Sequence, residues 1–271
     1  MKVQSYIPTE QLQPFIKTYF IVESDEDIVN RIVPDTGITL VFRFKGNVNL
    51  INDNYKTALP VVSVSGIRKS ARLINYEKNS GNIIVRLRET ATAAFLNMPA
   101  HELFENNIPL KEFFRQNEMT AIEEQLAAAQ NNFERIVLTE KFLLSKLASN
   151  KRDCLVENAI QRIYLATGAV KIKDLASGLY ISQDAFEKRF RKAVGASPKQ
   201  FASIVRMQTT IKQKQASRNF TDLAHHSSYF DQAHFIKDFK AITGETPDKF
   251  FHRDLQLVKI LSGKSGFFQP E

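Results

Sequence analysis

Asp174 to Phe201, DLASGLYISQDAFEKRFRKAVGASPKQF, returns as Asp222 to Phe250, DLAHHSSYFDQAHFIKDFKAITGETPDKF. A self-similar segment has to be read before anything else, because it names the structural unit that the chain duplicates. Each copy opens on Asp-Leu-Ala and a short apolar-periodic segment, then turns. A second segment follows with Phe186 and Phe190, or Phe235 and Phe239, four residues apart. That spacing places each Phe pair on one face of a helix. Gly195 or Gly244 follows the second Phe, then Pro198 or Pro247, then Phe201 or Phe250. The glycine stops one helix, and Ser197 or Thr246 before the proline starts the next. Two copies of helix, tight turn and helix are the outline of a helix-turn-helix unit, whose second helix enters the DNA major groove.

Charge points the same way. Of 37 Lys and Arg and 29 Asp and Glu, residues 1 to 150 hold 17 and 17, which leaves 20 against 12 for the remaining residues. The whole net charge of +8 therefore lies with the repeat. A basic module beside a neutral one is the footprint of polyanion binding, since Lys and Arg release counterions from phosphate.

These residues resemble the AraC/XylS family of bacterial transcription regulators over roughly Asn158 to His252. In the first unit the matching residues are Leu175, Ala176, Ser182, Phe186, Phe190, Gly195, Ser197, Pro198, Phe201 and Arg206. In the second they are Leu223, Ala224, the run Tyr229-Phe230-Asp231-Gln232-Ala233-His234-Phe235, Phe239, Gly244, Thr246, Pro247 and Phe250. The chain departs from the family in having Ser228-Tyr229 where Gly-Phe is usual. It departs again with Thr210, Gln213 and Lys214 after Arg206, where Ala and Leu are common. The second departure predicts looser contact between the two units.

The outward residues of the first reading helix are Gln183, Asp184, Glu187, Lys188 and Arg191, with Ser182 as N-cap. By family position Asp184, Glu187 and Lys188 match base-facing sites. In the second helix Gln232, Ala233, Ile236 and Lys237 match them, beside His234. Gln pairs with adenine, Lys with guanine, and Ala or Ile touches a thymine methyl. Lys192 and Lys240 are read as phosphate contacts, which set position without a sequence code. For every one of these residues the competing reading is a solvated helix face.

The remainder predicts an α+β chain. Strands are expected in residues 28–87: Ile38 to Phe44, Val61 to Ser65, and Asn82 to Leu87 after a Ser80-Gly81 turn. They make a small antiparallel sheet or barrel open to a ligand in its mouth. Helices are expected from Thr92 to Glu105, Leu110 to Arg115 and Thr120 to Ala148. Leu126 and the apolar residues of Phe133 to Leu147 fit either a dimer seam or packing on their own sheet. The expected organisation is residues 1–148 as a sensor-like or dimerisation domain, 149–153 as linker, 154–256 as an all-α domain of two helix-turn-helix units joined by a long helix, and 257–271 as a tail. With 43% hydrophobic residues each domain has enough to bury a core.

Residues Leu12 to Phe20, Pro34-Asp35, Gly66, Val85 to Leu87 and Pro99 to Leu103 also resemble the sensor domain of AraC/XylS regulators, with Glu89-Thr90-Ala91 where relatives tend to carry Pro-Gly. Asp35 and Arg86 read as a turn residue and a surface charge in preference to ligand contacts. The resemblance implies a double-stranded DNA operator, RNA polymerase, a small-molecule effector and a second copy of the chain as partners, and no cofactor.

Other chemistries find little support. One cysteine, Cys154, allows no disulfide framework and no Cys-rich metal site. That cysteine lies at the linker, which disfavours a DNA-repair methyltransferase carrying this module. His225, His226 and His234 lack a recognisable ligand spacing. No P-loop, nucleophile elbow or His-Glu-x-x-His motif is present, so an enzyme is not expected. Polar residues after Lys2 and the lack of a long apolar run predict a soluble, cytoplasmic chain without a membrane partner. A helical protein-interaction module without sequence-specific DNA binding is the remaining alternative.

Overall fold

The computed structural model describes residues 1–52, 55–148, 153–216 and 232–252. Ten strands come first: β1 (Lys2–Tyr6), β2 (Ile16–Ser24), β3 (Ile28–Ile32), β4 (Thr39–Lys45), β5 (Val48–Asn52), β6 (Tyr55–Ala58), β7 (Val62–Ser65), β8 (Arg72–Tyr76), β9 (Ser80–Leu87) and β10 (Asn107–Pro109). Helices α1 (Thr92–Phe95), α2 (Gln116–Ala128) and α3 (Asn132–Lys146) complete this half. The other half is helical: α4 (Cys154–Leu165), α5 (Ile172–Ser177), α6 (Gln183–Val194), α7 (Pro198–Ala216), α8 (Gln232–Thr243) and α9 (Pro247–His252).

The strands form two antiparallel sheets, β1-β2-β9-β4-β7-β10 and β3-β8-β5-β6. Period-two alternation gives the six-stranded sheet two different faces. Leu40, Phe42, Phe44, Ile83, Val85 and Leu87 pack with the helices in the main core. The alternate residues Thr39, Val41, Arg43, Asn82 and Ile84 turn toward the second sheet and line a space between the two. Phe20, Val22, Val48, Ile74 and Tyr76 close a smaller apolar cluster there.

Several expected boundaries shift. The helix expected over Thr92 to Glu105 stops at Phe95 and resumes only as a 3-10 turn, Ala100–Leu103, because Pro99 supplies no N–H and restrains Met98 to extended backbone. Leu110 to Arg115 shrinks to a 3-10 turn at Leu110–Glu112. The long helix expected from Thr120 to Ala148 is two helices, with Asn131 as N-cap of the second, its side chain accepting from the Glu134 N–H at 2.9 Å. Ser80 and Gly81 lie inside β9, and the turn is made earlier, by Asn79 at φ 59°. Leu126, Ile136 and Leu143 are buried in the chain's own core, while Phe133 is exposed.

The two halves do not close separate cores. One apolar cluster runs from the helix side of the six-stranded sheet through Ala100 and Leu103 to Phe186, Phe190 and Phe201. Gly195, at φ 99°, ends α6 against this turn, and a Cβ there would lie 3.0 Å from the Ala100 carbonyl oxygen. Only glycine meets both demands at low cost.

A buried polar junction accompanies the apolar one. Lys17 pairs with Glu89 at 2.5 Å, and Arg86 pairs with Asp35. From the helical half, Tyr164 donates to Glu89 and stands 2.8 Å from the Thr36 hydroxyl, while Gln208 Nε2 donates to the Pro34 carbonyl and to Asp35 at 3.3 Å each. Arg86 is thus a buried ion-pair partner and not the surface charge that the sequence suggested. Burial pushes both carboxyls up, but Arg86 and Lys17 at Asp35, and Lys17 and Tyr164 at Glu89, outweigh it and hold both pKa values below the usual range.

Farther along, the second repeat is tied to the other sheet. The Ala71 N–H donates to the Ile242 carbonyl at 2.7 Å, and Arg31 on β3 donates to the Thr243 carbonyl at 3.2 Å and to the Glu245 carboxylate at 3.1 Å. The last carbonyls of α8 would otherwise be orphans, and a cation at a helix C-terminus is favourable.

Phe190 is fully buried between Phe186 and Phe201, with ring centroids 5.7 and 5.5 Å away. Phe190→Ala should cost about 3–5 kcal/mol and lower Tm by roughly 10 °C, as read by thermal denaturation. Depressed carboxyl pKa values give stability that is present above their ordinary range and lost as pH falls through the folded-state values. The junction should hold its contribution down to about pH 5 and weaken below about pH 4. Glu89→Gln should lower Tm at neutral pH, by up to about 3 kcal/mol in stability, and flatten that acid limb in a pH-resolved melting series.

Candidate nucleic-acid interface

α5, its turn and α6 form the first helix-turn-helix unit. Leu175 and Ala176 are buried, and the Ala176 carbonyl accepts from the N–H groups of Leu179 and Ile181, which folds the turn back on α5. Ser182 caps α6, its hydroxyl accepting from the Ala185 N–H at 3.3 Å. Phe186, Phe190 and Val194 carry one stripe of α6 into the core. The opposite stripe is what remains for a ligand. Gln183, Asp184, Lys188, Arg191 and Lys192 are exposed and Glu187 is half-buried. Gln183 Nε2 donates to the Glu187 carboxylate at 3.0 Å, so two of the outward groups already engage each other.

Tyr180 was missed by the sequence reading. It stands in the turn just before α6, fully exposed, with φ 56°. A bulky residue in the left-handed region is strained, and such strain gathers at functional positions. Its neighbours Leu179 and Ile181 are partly buried against the core, so the ring is the part of the turn that projects. An aromatic residue between two apolar anchors in a tight turn is the signal that could have found it.

The corresponding helix of the second repeat is α8. Phe235, Phe239 and Ile242 are buried, and Ala233, His234, Ile236, Lys237 and Lys240 are exposed. His234 Nδ1 lies 3.7 Å from Asp238, one turn on, which places an acid beside the basic residues. Gln232 opens α8, but its side chain lies outside the described residues, as do the Ser228-Tyr229 turn, His225, His226 and the first part of the second repeat. Gly244 follows at φ 80°, and a Cβ there would lie 2.5 Å from Arg31 Nη1, so the stop after α8 also admits the arginine that caps it.

Between the units runs α7. Ser197 starts its capping pair, accepting from the Gln200 N–H at 3.2 Å while its own N–H donates to Gln200 Oε1 at 3.0 Å. Of the polar residues that depart from the family pattern on α7, Thr210 has a clear use. Thr210 is buried and returns its hydroxyl to the Arg206 carbonyl, while the Lys214 side chain lies outside the described residues; beside them Lys212 lies in the field of Arg86, Lys17 and Asp35, where burial first and then the two cations lower its pKa. Together with Gln208, this stretch faces the strand-rich half.

Among the described residues no cluster of three or more His, Cys, Asp or Glu could hold a metal, and no helix is long and apolar enough to cross a membrane. Cys154 is exposed and unpaired in any disulfide.

Residues 175–253 match a family described as a helix-turn-helix domain, and residues 4–109 match a domain of unknown function (DUF6597). No curated protein matches the chain. Among solved structures, ToxT from Vibrio cholerae is 10% identical with a TM-score of 0.45, over 92% of this chain and 98% of that one. The unsaturated fatty acid-bound form of ToxT is 10% identical with a TM-score of 0.43, over 86% and 93%. The AraC-like transcriptional activator CuxR is 14% identical with a TM-score of 0.24, over 76% and 85%. At these scores no residue role passes from those proteins to this chain. The repeated Phe, Gly and Pro positions nonetheless lie on or beside two amphipathic helices behind a strand-rich half, in a segment that matches a helix-turn-helix domain.

Proposed function

We propose that the chain is a sequence-specific DNA-binding transcription regulator whose affinity for its operator is set by the state of its strand-rich half. The observation that carries this is the pair of amphipathic helices, α6 and α8, each with a buried Phe stripe and an exposed polar or basic one. On an operator they would enter successive major-groove segments on one face, about 34 Å apart. The base-facing residues are Asp184, Glu187 and Lys188 on α6 and Gln232, Ala233, Ile236 and Lys237 on α8, with Gln183, Arg191 and His234 at their margins. Two acids and the Gln183 to Glu187 hydrogen bond limit what α6 reads, which leaves α8 the larger share of specificity. Lys192, Lys240 and the Tyr180 hydroxyl serve as phosphate contacts. RNA polymerase, a second copy and a small-molecule effector are the partners that this role calls for.

Control follows from the junction. α7 is held by Gln208 at Pro34 and Asp35, and α8 is held by Arg31 and Ala71. Any ligand or partner that moves those anchors changes the placement of both reading helices, and the coupling must run in both directions.

The test is a binding selection on genome fragments with the full-length protein at two salt concentrations. One enriched motif spanning two major-groove segments, weakening steeply with salt, is the expected result. No enrichment at either salt, in the presence and absence of candidate effectors, would favour a protein-interaction module. On the selected operator, Lys237→Ala and Gln232→Ala should each cost about 1–3 kcal/mol and relax base preference at one position. Lys192→Ala and Lys240→Ala should weaken all sequences alike and reduce the salt slope by about 0.9 each. Tyr180→Asn keeps a residue that tolerates the left-handed turn. It should lower operator affinity severalfold in a fluorescence titration while Tm stays level or rises.

A further inference from the structure

Each sheet has two edge strands, and three of these four edges are occupied or cut short. On β1 the Gln4 side chain accepts from Asn132 of α3 at 3.0 Å, β3 is tied to the second repeat through Arg31, and β10 ends at Pro109 after three residues. Among the described residues β6 is the edge strand that exposes its whole length, Tyr55, Lys56, Thr57 and Ala58. An open edge is a template for another strand, and natural chains blunt such edges unless they use them.

The direction of the free groups on β6 follows from its hairpin with β5. The Leu59 N–H donates to the Val48 carbonyl at 2.9 Å, so Leu59 and, by antiparallel alternation, Thr57 turn their main-chain groups toward β5. Lys56 and Ala58 then turn theirs outward. This pattern matches itself. When a second β6 lies antiparallel with Thr57 on the two-fold axis, Lys56 of each copy faces Ala58 of the other, and every outward N–H and C=O finds a partner.

The side chains agree with that register on both faces. Ala58 stands in one row with Asn49 and Asn75. The Asn49 amide donates to the Glu77 carboxylate at 2.9 Å, and hydrogen bonds from Asn47 and Asn49, then the charge of Lys56, hold the Glu77 pKa below the usual range. Lys56 of the second copy enters this row across the small Ala58, which brings a cation toward a carboxylate on each side of the axis. On the other face Tyr55, 78% exposed, falls opposite Leu59 of the second copy, at the rim of an open groove of about 430 Å³ bordered by Pro60, Val61 and Met119. We propose that the β6 edge is the surface on which a second copy of this chain docks, joining the two four-stranded sheets into one continuous sheet. A second copy is a partner that the proposed function calls for, but the pairing needs no DNA and stands or falls without it. The edge is short, so the dimer is a weak, concentration-dependent one.

The test is sedimentation velocity on the full-length chain without DNA, from low to high micromolar concentration, with a melting curve for every variant. A reversible monomer–dimer equilibrium is expected. Ala58→Pro removes an outward N–H and no bond to β5, and an edge strand accepts proline at such a position, so it should abolish the dimer with Tm unchanged. Lys56→Glu is a second variant should Ala58→Pro not fold. Lys56→Glu and Glu77→Lys should each be monomeric alone and dimerise when mixed, since both contacts across the axis then join opposite charges. Thr57→Cys, with Cys154→Ser to remove the exposed native thiol, should cross-link to itself under mild oxidation, because residues facing each other in this way have Cα atoms about 4.5 Å apart. A monomer at every concentration, or a dimer that persists in a folded Ala58→Pro, would overturn the site. A dimer that Thr57→Cys does not cross-link would overturn the register, and a mixture that stays monomeric would overturn the charge match. A monomeric chain that still enriches one operator motif would overturn the pairing and leave the DNA reading intact.

Discussion

The placement of the first helix-turn-helix unit against the strand-rich half depends on the buried contact between Tyr164 and the Lys17 to Glu89 pair. Its acceptor is charged and desolvated, and such hydrogen bonds are roughly twice as strong as neutral ones. It also reaches the apolar core, since the Tyr164 ring packs edge-on against Phe201 at 5.7 Å. One side chain therefore spans a polar network and an aromatic cluster. Moving it exposes a carboxylate and opens the Phe core together. A junction of this kind resists small displacements and yields only to a change that supplies its own compensation.

The second tie, from β3 to the end of α8, has a different character. Arg31 and Glu245 have side chains about four-fifths or more buried and form an ion pair, Arg31 also donates to the Thr243 carbonyl, and the aromatic cluster beside them, Phe239 with Phe250 and Phe251, belongs to the second repeat itself. The first unit is joined to the strand-rich half through Tyr164 and Gln208, and the second through Arg31 and Ala71.

The helical repeat was legible because helix-turn-helix units write themselves locally. The Phe pair, the glycine stop and the Ser182 cap are set by neighbours within four residues, and all are found where the spacing puts them. The central strands from Ile38 and Asn82 were legible for the same reason. What escaped depends on distant partners. β1 and β2 were not anticipated, because their residues become strand only by pairing with each other and with β9. Glu89 looked like a departure from a family pattern, and its use was invisible without Lys17 and Tyr164, which lie 72 and 75 residues away along the chain. Thr39, Arg43 and Asn82, at alternate positions of β4 and β9, border the inner space only because a second sheet covers them, which no local pattern announces. Tyr180 went unremarked because backbone handedness is not encoded by residue type alone.

The capping of α8 by Arg31 and Ala71 bears on how such a chain can diversify. Reading heads and sensor heads are often thought of as beads that recombination can exchange. Here Gly244 must remain small for Arg31 to reach the Thr243 carbonyl, and Glu245 must remain acidic to meet it. A chimera that imported a foreign reading head would place an unmatched residue against the arginine. The two halves are therefore heritable as a pair, and the sites where drift in one must be answered by drift in the other are few enough to name.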